Sequence, residues 1–217
     1  MDENCRVNFQ PPLLWTSLCL EELWRDAEEL QFWTDASTGE CDENGLSLGG
    51  GGFGACFMTP DGPQYMGGSW KSIGVDIAGL HVSEVEMLAV SLAVETWGKY
   101  LQQRRIVMRC DNSACVESIN RQRCKDPGMA VGLRCLFLTM AKHSFLMRSK
   151  HIGTKENVLA DSASREDWDE FFRFAKEEFG LESNDMERVE PTLDMEDMMR
   201  RIRKAKASVA RYRAETT

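Results

Sequence analysis

The spacing of hydrophobic residues changes once along the chain, after the first third of the sequence. Upstream of that change, short apolar runs alternate with turn-forming residues, a pattern typical of β-strands joined by hairpin turns. These runs predict three antiparallel strands at 31–37, 53–58 and 64–70. The loop between the first two strands, 39–52, ends in four consecutive glycines, which are poorly suited to a strand interior.

Farther along the chain, apolar residues recur at helical spacing and strands alternate with helices. The predicted helices are 83–101, 113–121, 126–140 and one around Asp161, and the predicted strands are 105–110 and 144–151. Ser83, with Glu86 three residues later, matches a capping box for the first of these helices. We therefore expect an α/β fold, in which a mixed five-stranded sheet with its first three strands antiparallel carries helices on both faces.

Two flanking segments extend this core. We divide the chain into an N-terminal packing segment (1–30), a core (31–165) and a helical extension (166–217). In the extension, an aromatic-rich helix ends at Gly180, a polar linker follows at 181–193, and a helix with a basic side starts near Met195. We interpret this last helix as one that binds a protein partner; attraction to phosphates is the alternative.

Composition narrows the class of protein. The 217 residues are 42% hydrophobic and 28% charged, as expected for a globular domain. No apolar run is long enough to predict a membrane span, and the acidic start lacks a signal-peptide pattern. The eight cysteines and three histidines show no zinc-type pairing. We therefore expect an intracellular protein with reduced thiols and no membrane partner, with nucleus and cytoplasm both open.

The net charge of −9 is unevenly distributed. Residues 1–30 carry −5 and residues 166–198 carry −10, whereas 31–165 is neutral and 199–217 carries +6. Within the core, 104–155 holds eleven bases and three acids. A solvated face is the ordinary explanation of such a run. A basic surface beside a cluster of carboxylates favours binding of a polyanion.

Four carboxylates occupy matching positions in the predicted fold. Asp35 lies on the first strand and Asp111 ends the fourth, while Glu86 and Asp161 lie near helix N-termini. If they converge, their mutual repulsion requires protons or cations. Oxygen-only ligands suit Mg²⁺ or Mn²⁺, and two such ions can serve an in-line phosphoryl displacement. His151, at the end of the fifth strand, can shuttle protons nearby.

These residues lie in four motifs in a fixed order. The motifs are Thr34-Asp35-Ala36-Ser37, Glu86-Met87-Leu88-Ala89-Val90, Cys110-Asp111-Asn112, and His151, Asn157 and Asp161 at H-x5-N-x3-D spacing. Together they resemble ribonuclease H, specifically the ribonuclease H linked to reverse transcriptases of retroelements. The surroundings of Glu86 and Asp161 are similar to those in tyrosine-recombinase retrotransposons of the DIRS type. The resemblance covers about residues 31–165.

The resemblance implies endonucleolytic cleavage of the RNA strand in an RNA–DNA hybrid, and a neighbouring reverse transcriptase domain as a possible partner. It implies two Mg²⁺ or Mn²⁺ ions held by the four carboxylates, with His151 on a flexible loop. Predicted nucleic-acid contacts are Asn112, Ser113, Arg121, Arg123, Lys125 and Asn157. For the three basic residues of this set, a solvated loop is the alternative interpretation, and Asn157 can instead cap the following helix or orient the site.

Two other functions stay open from the sequence. A ribonuclease H-like module can serve as a protein-interaction scaffold without cleavage, which the charged flanks favour and the intact carboxylate set opposes. A DNA-directed member of the same nuclease superfamily, such as a transposase or junction resolvase, would carry a similar carboxylate set. A panel of nucleic-acid substrates separates it from the leading hypothesis.

Overall fold

The computed structural model describes residue 30 and residues 32–216, and its centre is one mixed sheet. The strands are β1 Phe32–Ala36, β2 Gly52–Thr59, β3 Gly62–Ser69, β4 Arg105–Cys110, β5 Leu146–His151 and β6 Glu187–Arg188. They are ordered β5-β4-β1-β2-β3-β6. The prediction of five strands is wrong by one, because β6 forms inside the stretch 181–193 that was predicted as a linker and pairs with β3.

The directions of the strands define one functional edge. β1, β2 and β3 pair antiparallel in sequence order, as predicted, whereas β1, β4 and β5 pair in parallel. The carboxyl ends of these three parallel strands therefore lie together, and β3 ends beside them because Ser69 pairs with Gly52. We call this the carboxyl edge. It receives the starts of the helices that follow β3, β4 and β5.

Helices cover both faces of the sheet, as predicted. They are α1 Val82–Leu101, α2 Ser113–Arg121, α3 Pro127–Lys142, α4 Val158–Ser164, α5 Trp168–Phe179 and α6 Met195–Thr216. Side chains of α1, α2, α3 and α6 share the larger core, which includes the fully buried Trp97. On the other face, α4 and α5 pack around Tyr65 and Phe171, whose ring centroids lie 4.9 Å apart.

Glycines in the sheet let α4 approach its backbone. A Cβ atom at Gly54 would lie 2.1 Å from the carbonyl oxygen of Ala160, and one at Gly67 would lie 2.6 Å from that of Ala163. Both distances are far inside van der Waals contact, so a larger residue at either position forces the helix away. The short helix α4 is therefore seated directly on β2 and β3, with its first turn at the carboxyl edge.

The start of α1 differs from the prediction. The N-cap is His81, whose side chain accepts from the backbone N–H of Ser83, and the carboxylate of Glu84 accepts from the backbone N–H of His81 at 2.8 Å. The capping box predicted for Ser83 and Glu86 is wrong. Since Glu84 does the capping, Glu86 is left to point elsewhere. The loop at 39–52 bridges to this region through the pairing of Leu46 with His81.

The extension packs on the core. Met195, Met198, Met199 and Ile202 of α6 are buried in the larger core. Full burial of such side chains contributes roughly 1.5–3 kcal/mol each. The apolar side of α6 is thus covered by its own chain, and a partner on its basic side stays a prediction. The predicted boundaries of 31–165 and 166–217 stay predictions too.

The remaining expectations concern the N-terminus and membranes. The packing segment predicted at 1–30 lies outside the described residues except for Leu30, which contacts the larger core. Gly180 ends α5 in the left-handed conformation with φ 66°, as predicted. None of the helices in the described part of the chain is both long and apolar enough to cross a bilayer.

Candidate active site

The carboxyl edge brings acidic side chains from both faces of the sheet to one place. Asp35 precedes the last residue of β1, and Asp111 follows β4 directly. Because β1 and β4 are parallel neighbours, these two residues lie side by side. Glu86 arrives from the first turns of α1 on one face, and Asp161 from the first turn of α4 on the other.

Asp35 is almost completely buried, with 5% of its surface exposed. Its carboxylate accepts from the Ser164 hydroxyl at 2.6 Å and from the Asn157 amide at 3.4 Å. Burial raises the pKa of Asp35 from 3.8 to about 7, although the Ser164 hydrogen bond lowers it. The negative charges of Asp111 and Asp161 raise it further. A proton or a cation therefore has to neutralise this group near neutral pH.

Glu86 is equally buried, with 4% of its surface exposed. Burial raises its pKa well above the ordinary value, the neighbouring Cys110, Asp35 and Asp111 add to this, and a hydrogen bond from the backbone of Ala36 lowers it. The Cys110 thiol lies 3.9 Å from its carboxylate. Two neighbouring carboxyl groups with raised pKa values favour the binding of positive charge, either as protons or as cations.

Asp111 completes the tightest part of the cluster. Among the described residues, possible ligand atoms of Glu86, Cys110 and Asp111 all lie within 4.8 Å of one another. The Asp111 carboxylate also accepts from the Thr154 hydroxyl at 3.1 Å. Asp35 is outside this triplet, but Asp111 is close enough for its negative charge to raise the pKa of Asp35. The two carboxylates and the thiol can hold a metal ion between them.

Asp161 forms an ion pair at the rim of the cluster. Arg165, one turn later on the same segment, lies 2.9 Å from its carboxylate and is itself largely exposed. The negative charges of Asp161, Asp35 and Asp111 raise the pKa of Arg165, with the Asp161 hydrogen bond as the main cause. The guanidinium therefore supplies positive charge at the rim of the cluster.

The loop between β5 and α4 supplies two further predicted residues. His151 is exposed at the end of β5, and its Nε2 lies 3.0 Å from the backbone oxygen of Asp111. Asn157 occupies the N-cap position of α4 without a side-chain capping bond. Its amide donates instead to Thr34 O at 3.1 Å and to Asp35. Of the roles left open for Asn157, orienting the site fits these contacts better than capping.

The predicted nucleic-acid contacts divide into two groups. Asn112 and Ser113 lie next to Asp111; the Asn112 side chain caps α2 through Cys115 N at 3.0 Å, and Ser113 is exposed. The basic residues lie at the far end of α2 and just beyond it. There Arg121 pairs with Glu117 at 2.5 Å, and Arg123 and Lys125 are exposed. Buried Asn157 belongs to the carboxylate cluster rather than to either surface group.

Four site residues were not predicted as such. They are Thr154, Ser164, Arg165 and Cys110, which contact Asp111, Asp35, Asp161 and Glu86 respectively. Arg165 stands four residues after Asp161, the spacing of an ion pair on a helix, so its contact had a signal in the sequence. The Ser164 and Thr154 contacts span 129 and 43 residues, and no local pattern reveals them.

Comparisons with known proteins return structures only. Neither a scan against protein-family models nor a search of curated proteins gives a match. RNase H1 from the halophilic archaeon Halobacterium salinarum NRC-1 is 14% identical, with 65% of this chain and 98% of that chain covered and a TM-score of 0.47. LC11-RNase H1, isolated from compost and solved with an RNA/DNA hybrid, is 16% identical, with 64% and 95% covered and a TM-score of 0.49.

A foamy viral protease-reverse transcriptase solved with an RNA/DNA hybrid is 14% identical. The match covers 63% of this chain but 19% of the viral one, with a TM-score of 0.43. All three TM-scores lie below 0.5 and all three identities below 25%.

Proposed function

We propose that this protein is a divalent-metal-dependent endonuclease that hydrolyses the RNA strand of RNA–DNA hybrids. The observation that carries the proposal is the convergence of four carboxylates at the carboxyl edge, two of them almost fully buried with raised pKa values. Burying carboxylates together is costly in the absence of compensating charge, so a site that keeps them is adapted to bind cations.

The donor set fits Mg²⁺ or Mn²⁺. Carboxylate oxygens of Asp35, Glu86, Asp111 and Asp161 are the hard ligands that these ions prefer. We assign two ions to the site, since four carboxylates exceed what one ion with bound waters needs. When bound, the ions would activate a water and offset the charge that develops on the phosphate during in-line displacement.

The surrounding residues have distinct parts in this scheme. The Ser164 and Asn157 hydrogen bonds hold the Asp35 carboxylate in one orientation, and Thr154 does the same for Asp111. A positioned ligand loses less conformational freedom when an ion binds. His151, exposed at the end of β5, is placed to exchange protons with solvent beside the cluster.

The substrate class follows from the charge distribution and the motifs. The basic stretch 104–155 contributes β4, α2, α3 and β5, which lie on the side of the sheet next to Asp111. Asn112 and Ser113 lie beside the cluster, and the exposed Arg123 and Lys125 lie just beyond the far end of α2, where Arg121 pairs with Glu117. A hybrid would be bound by backbone phosphates and distinguished by its groove shape and 2′-hydroxyls.

The motif context favours an activity in retroelement biology. The sequence resemblance favours a ribonuclease H linked to a reverse transcriptase, with a DIRS-type retrotransposon or a derived host protein as the source. An RNA/DNA hybrid is present in the LC11-RNase H1 and foamy viral structures, and we propose the same type of ligand for this chain. A reverse transcriptase domain is a proposed partner.

Cleavage of labelled hybrid tests the proposal. Purified protein is incubated with hybrid, duplex DNA, duplex RNA and single strands, each with Mg²⁺, Mn²⁺ or EDTA. We expect cleavage of the RNA strand of the hybrid that EDTA abolishes. Asp111→Asn should remove at least 99% of it, and Asp61→Asn, an exposed turn residue, should leave it unchanged.

Three outcomes oppose the proposal. Equal cleavage by Asp111→Asn and the unsubstituted protein would show that the carboxylate cluster is not the active site. Cleavage restricted to DNA substrates would favour a DNA-directed nuclease of the same superfamily. The absence of any cleavage by a folded protein that binds Mn²⁺ would favour a binding module.

A further inference from the structure

A buried ion pair ties the C-terminal helix to the helix that carries Glu86. Lys206 Nζ of α6 lies 2.7 Å from the carboxylate of Glu84, the third residue of α1. The side chain of Glu84 is 1% exposed and that of Lys206 is 32% exposed. The partners are separated by 122 residues in sequence. An ion pair this deeply placed at one end depends on its geometry and resists replacement by water.

The same lysine also fastens the loop that leads into α1. Lys206 donates to the backbone oxygen of Gly79 at 3.0 Å, and Arg203, one turn earlier, donates to Asp76 at 2.8 Å. The carboxylate of Glu84 meanwhile caps the backbone N–H of His81 at 2.8 Å. The Glu84 carboxylate therefore caps its own helix and at the same time pairs with the Lys206 ammonium group of α6.

The surroundings of Glu84 leave it little freedom to move. A Cβ atom added at Gly128, the second residue of α3, would lie 1.8 Å from Glu84 Oε1. The α3 backbone thus closes the space on one side while Lys206 holds the carboxylate on the other. The first turn of α1 is fixed between α3, α6 and the preceding loop.

The fixed first turn of α1 also sets the position of Glu86. It lies two residues after Glu84 on the same helical turn, and its carboxylate receives a hydrogen bond from Ala36 and sits in the cluster with Asp111. A shift of the first turn of α1 would move this carboxylate relative to β1 and β4. Metal ligands lose affinity when the groups that hold them in place are removed.

We infer that Lys206 is a positioning residue for the metal centre, acting through Glu84 to fix the start of α1 and so the carboxylate of Glu86. The inference rests on the proposed function. It makes α6, which lies outside the 31–165 segment that carries the motifs, a working part of the active site. The helix is then required for full activity and not only for stability.

The test compares three substitutions in the full chain, assayed well below the melting temperature of each. Lys206→Met removes the charge and the hydrogen bonds, and Lys206→Arg restores both. Arg200→Met breaks an exposed ion pair with Asp197 within α6 and is the matched control. Each protein is measured for Mn²⁺ affinity by calorimetry, for kcat and KM on hybrid, and for folding by circular dichroism.

We expect Lys206→Met to weaken Mn²⁺ binding and lower kcat by about tenfold, the lower end of the range for losing a group that supports a ligand. KM for hybrid should change less than twofold. Lys206→Arg should recover most of the loss, and Arg200→Met should match the unsubstituted protein. If Lys206→Met does not fold, Lys206→Gln, which keeps a donor without the charge, replaces it.

A folded Lys206→Met or Lys206→Gln with unchanged Mn²⁺ affinity and kcat overturns the inference and leaves a purely structural ion pair. Equal losses in Arg200→Met overturn it as well, because they point to a general loosening of α6. These results leave the proposed function intact. Failure of the unsubstituted protein to cleave hybrid removes the proposed function, whereas the Mn²⁺ measurements on the same variants still decide whether Lys206 positions the centre.

Discussion

Replacing Asp35 by asparagine should stabilise the protein when no metal is bound. The carboxyl group is 5% exposed, and burial raises its pKa from 3.8 to about 7. The folded state therefore favours the protonated form more than the unfolded chain does. The contribution of Asp35 to stability should be highest below about pH 4, fall as the pH rises to about 7, and stay constant above that. An amide at this position avoids the fall, because it is neutral throughout.

The size of the effect follows from the two pKa values. With 1.36 kcal/mol for each unit, a change from 3.8 to about 7 corresponds to about 4 kcal/mol at pH 8, as an upper value. At pH 5 the same reasoning leaves about 2 kcal/mol. The site accommodates the amide, since Ser164 can turn its hydroxyl proton to the Asp161 carbonyl, 2.9 Å away, and accept from the new NH₂ group.

Urea unfolding in EDTA, followed by tryptophan fluorescence, measures this difference. Asp35→Asn should exceed the unsubstituted protein in free energy of unfolding at pH 8, and the gap should narrow at pH 5. Adding Mn²⁺ should stabilise the unsubstituted protein much more than the variant and so reverse the order. Asp61→Asn, in the exposed turn after β2, serves as the control. A variant that is no more stable than its parent at pH 8 in EDTA would refute the reasoning.

Three other substitutions probe the site. Thr154→Val removes the 3.1 Å hydrogen bond to Asp111 and should lower Mg²⁺ affinity about tenfold in calorimetry, with unchanged affinity counting against a role for Thr154. Arg165→Met removes a cation 2.9 Å from Asp161 and should raise Mg²⁺ affinity up to about fivefold, whereas a decrease would show that the guanidinium supports the site. Gly54→Ala forces α4 off the sheet and should cost about 1–3 kcal/mol in urea unfolding together with most of the activity, while a fully active variant would contradict the close packing of α4.

The order of the strands and helices was predictable because the local spacing of apolar residues determines it. The alternation of short apolar runs with turns, and then of strands with helices, required only the change from a two-residue to a helical spacing. The start of the helix predicted at 126–140 was equally local, since the Asp126 carboxylate accepts from Met129 N three residues later at 2.8 Å. Where neighbours in sequence decide the structure, the prediction held.

The errors arose where distant residues decide. Ser83 and Glu86 fit a capping box in sequence, but α1 begins earlier, and His81 with Glu84 three residues later forms the box. The carboxylate of Glu84 also pairs with Lys206, far along the chain, a contact that no local pattern reveals. β6 has only two residues, both exposed, and is defined by backbone pairing with β3, which leaves no pattern of side chains. The polar stretch that contains it therefore looked like a linker.

The candidate site shows the same division. The four carboxylates were singled out by residue type and by their positions at element ends, and their convergence depends on the parallel pairing of β1 and β4. The groups that orient them are small hydroxyl and amide side chains of ordinary appearance. Ser164 follows Asp161 by three residues, yet only the seating of α4 on β2 and β3 brings it to Asp35.

The most direct test of the carboxylate cluster as a metal centre is anomalous diffraction from crystals soaked in Mn²⁺. We expect anomalous peaks at the carboxyl edge, within ligand distance of oxygens from Asp35, Glu86 and Asp111, that disappear in crystals of Glu86→Gln. Saturating Mn²⁺ with no peak among these carboxylates, in crystals where the edge is open to solvent, would contradict the account.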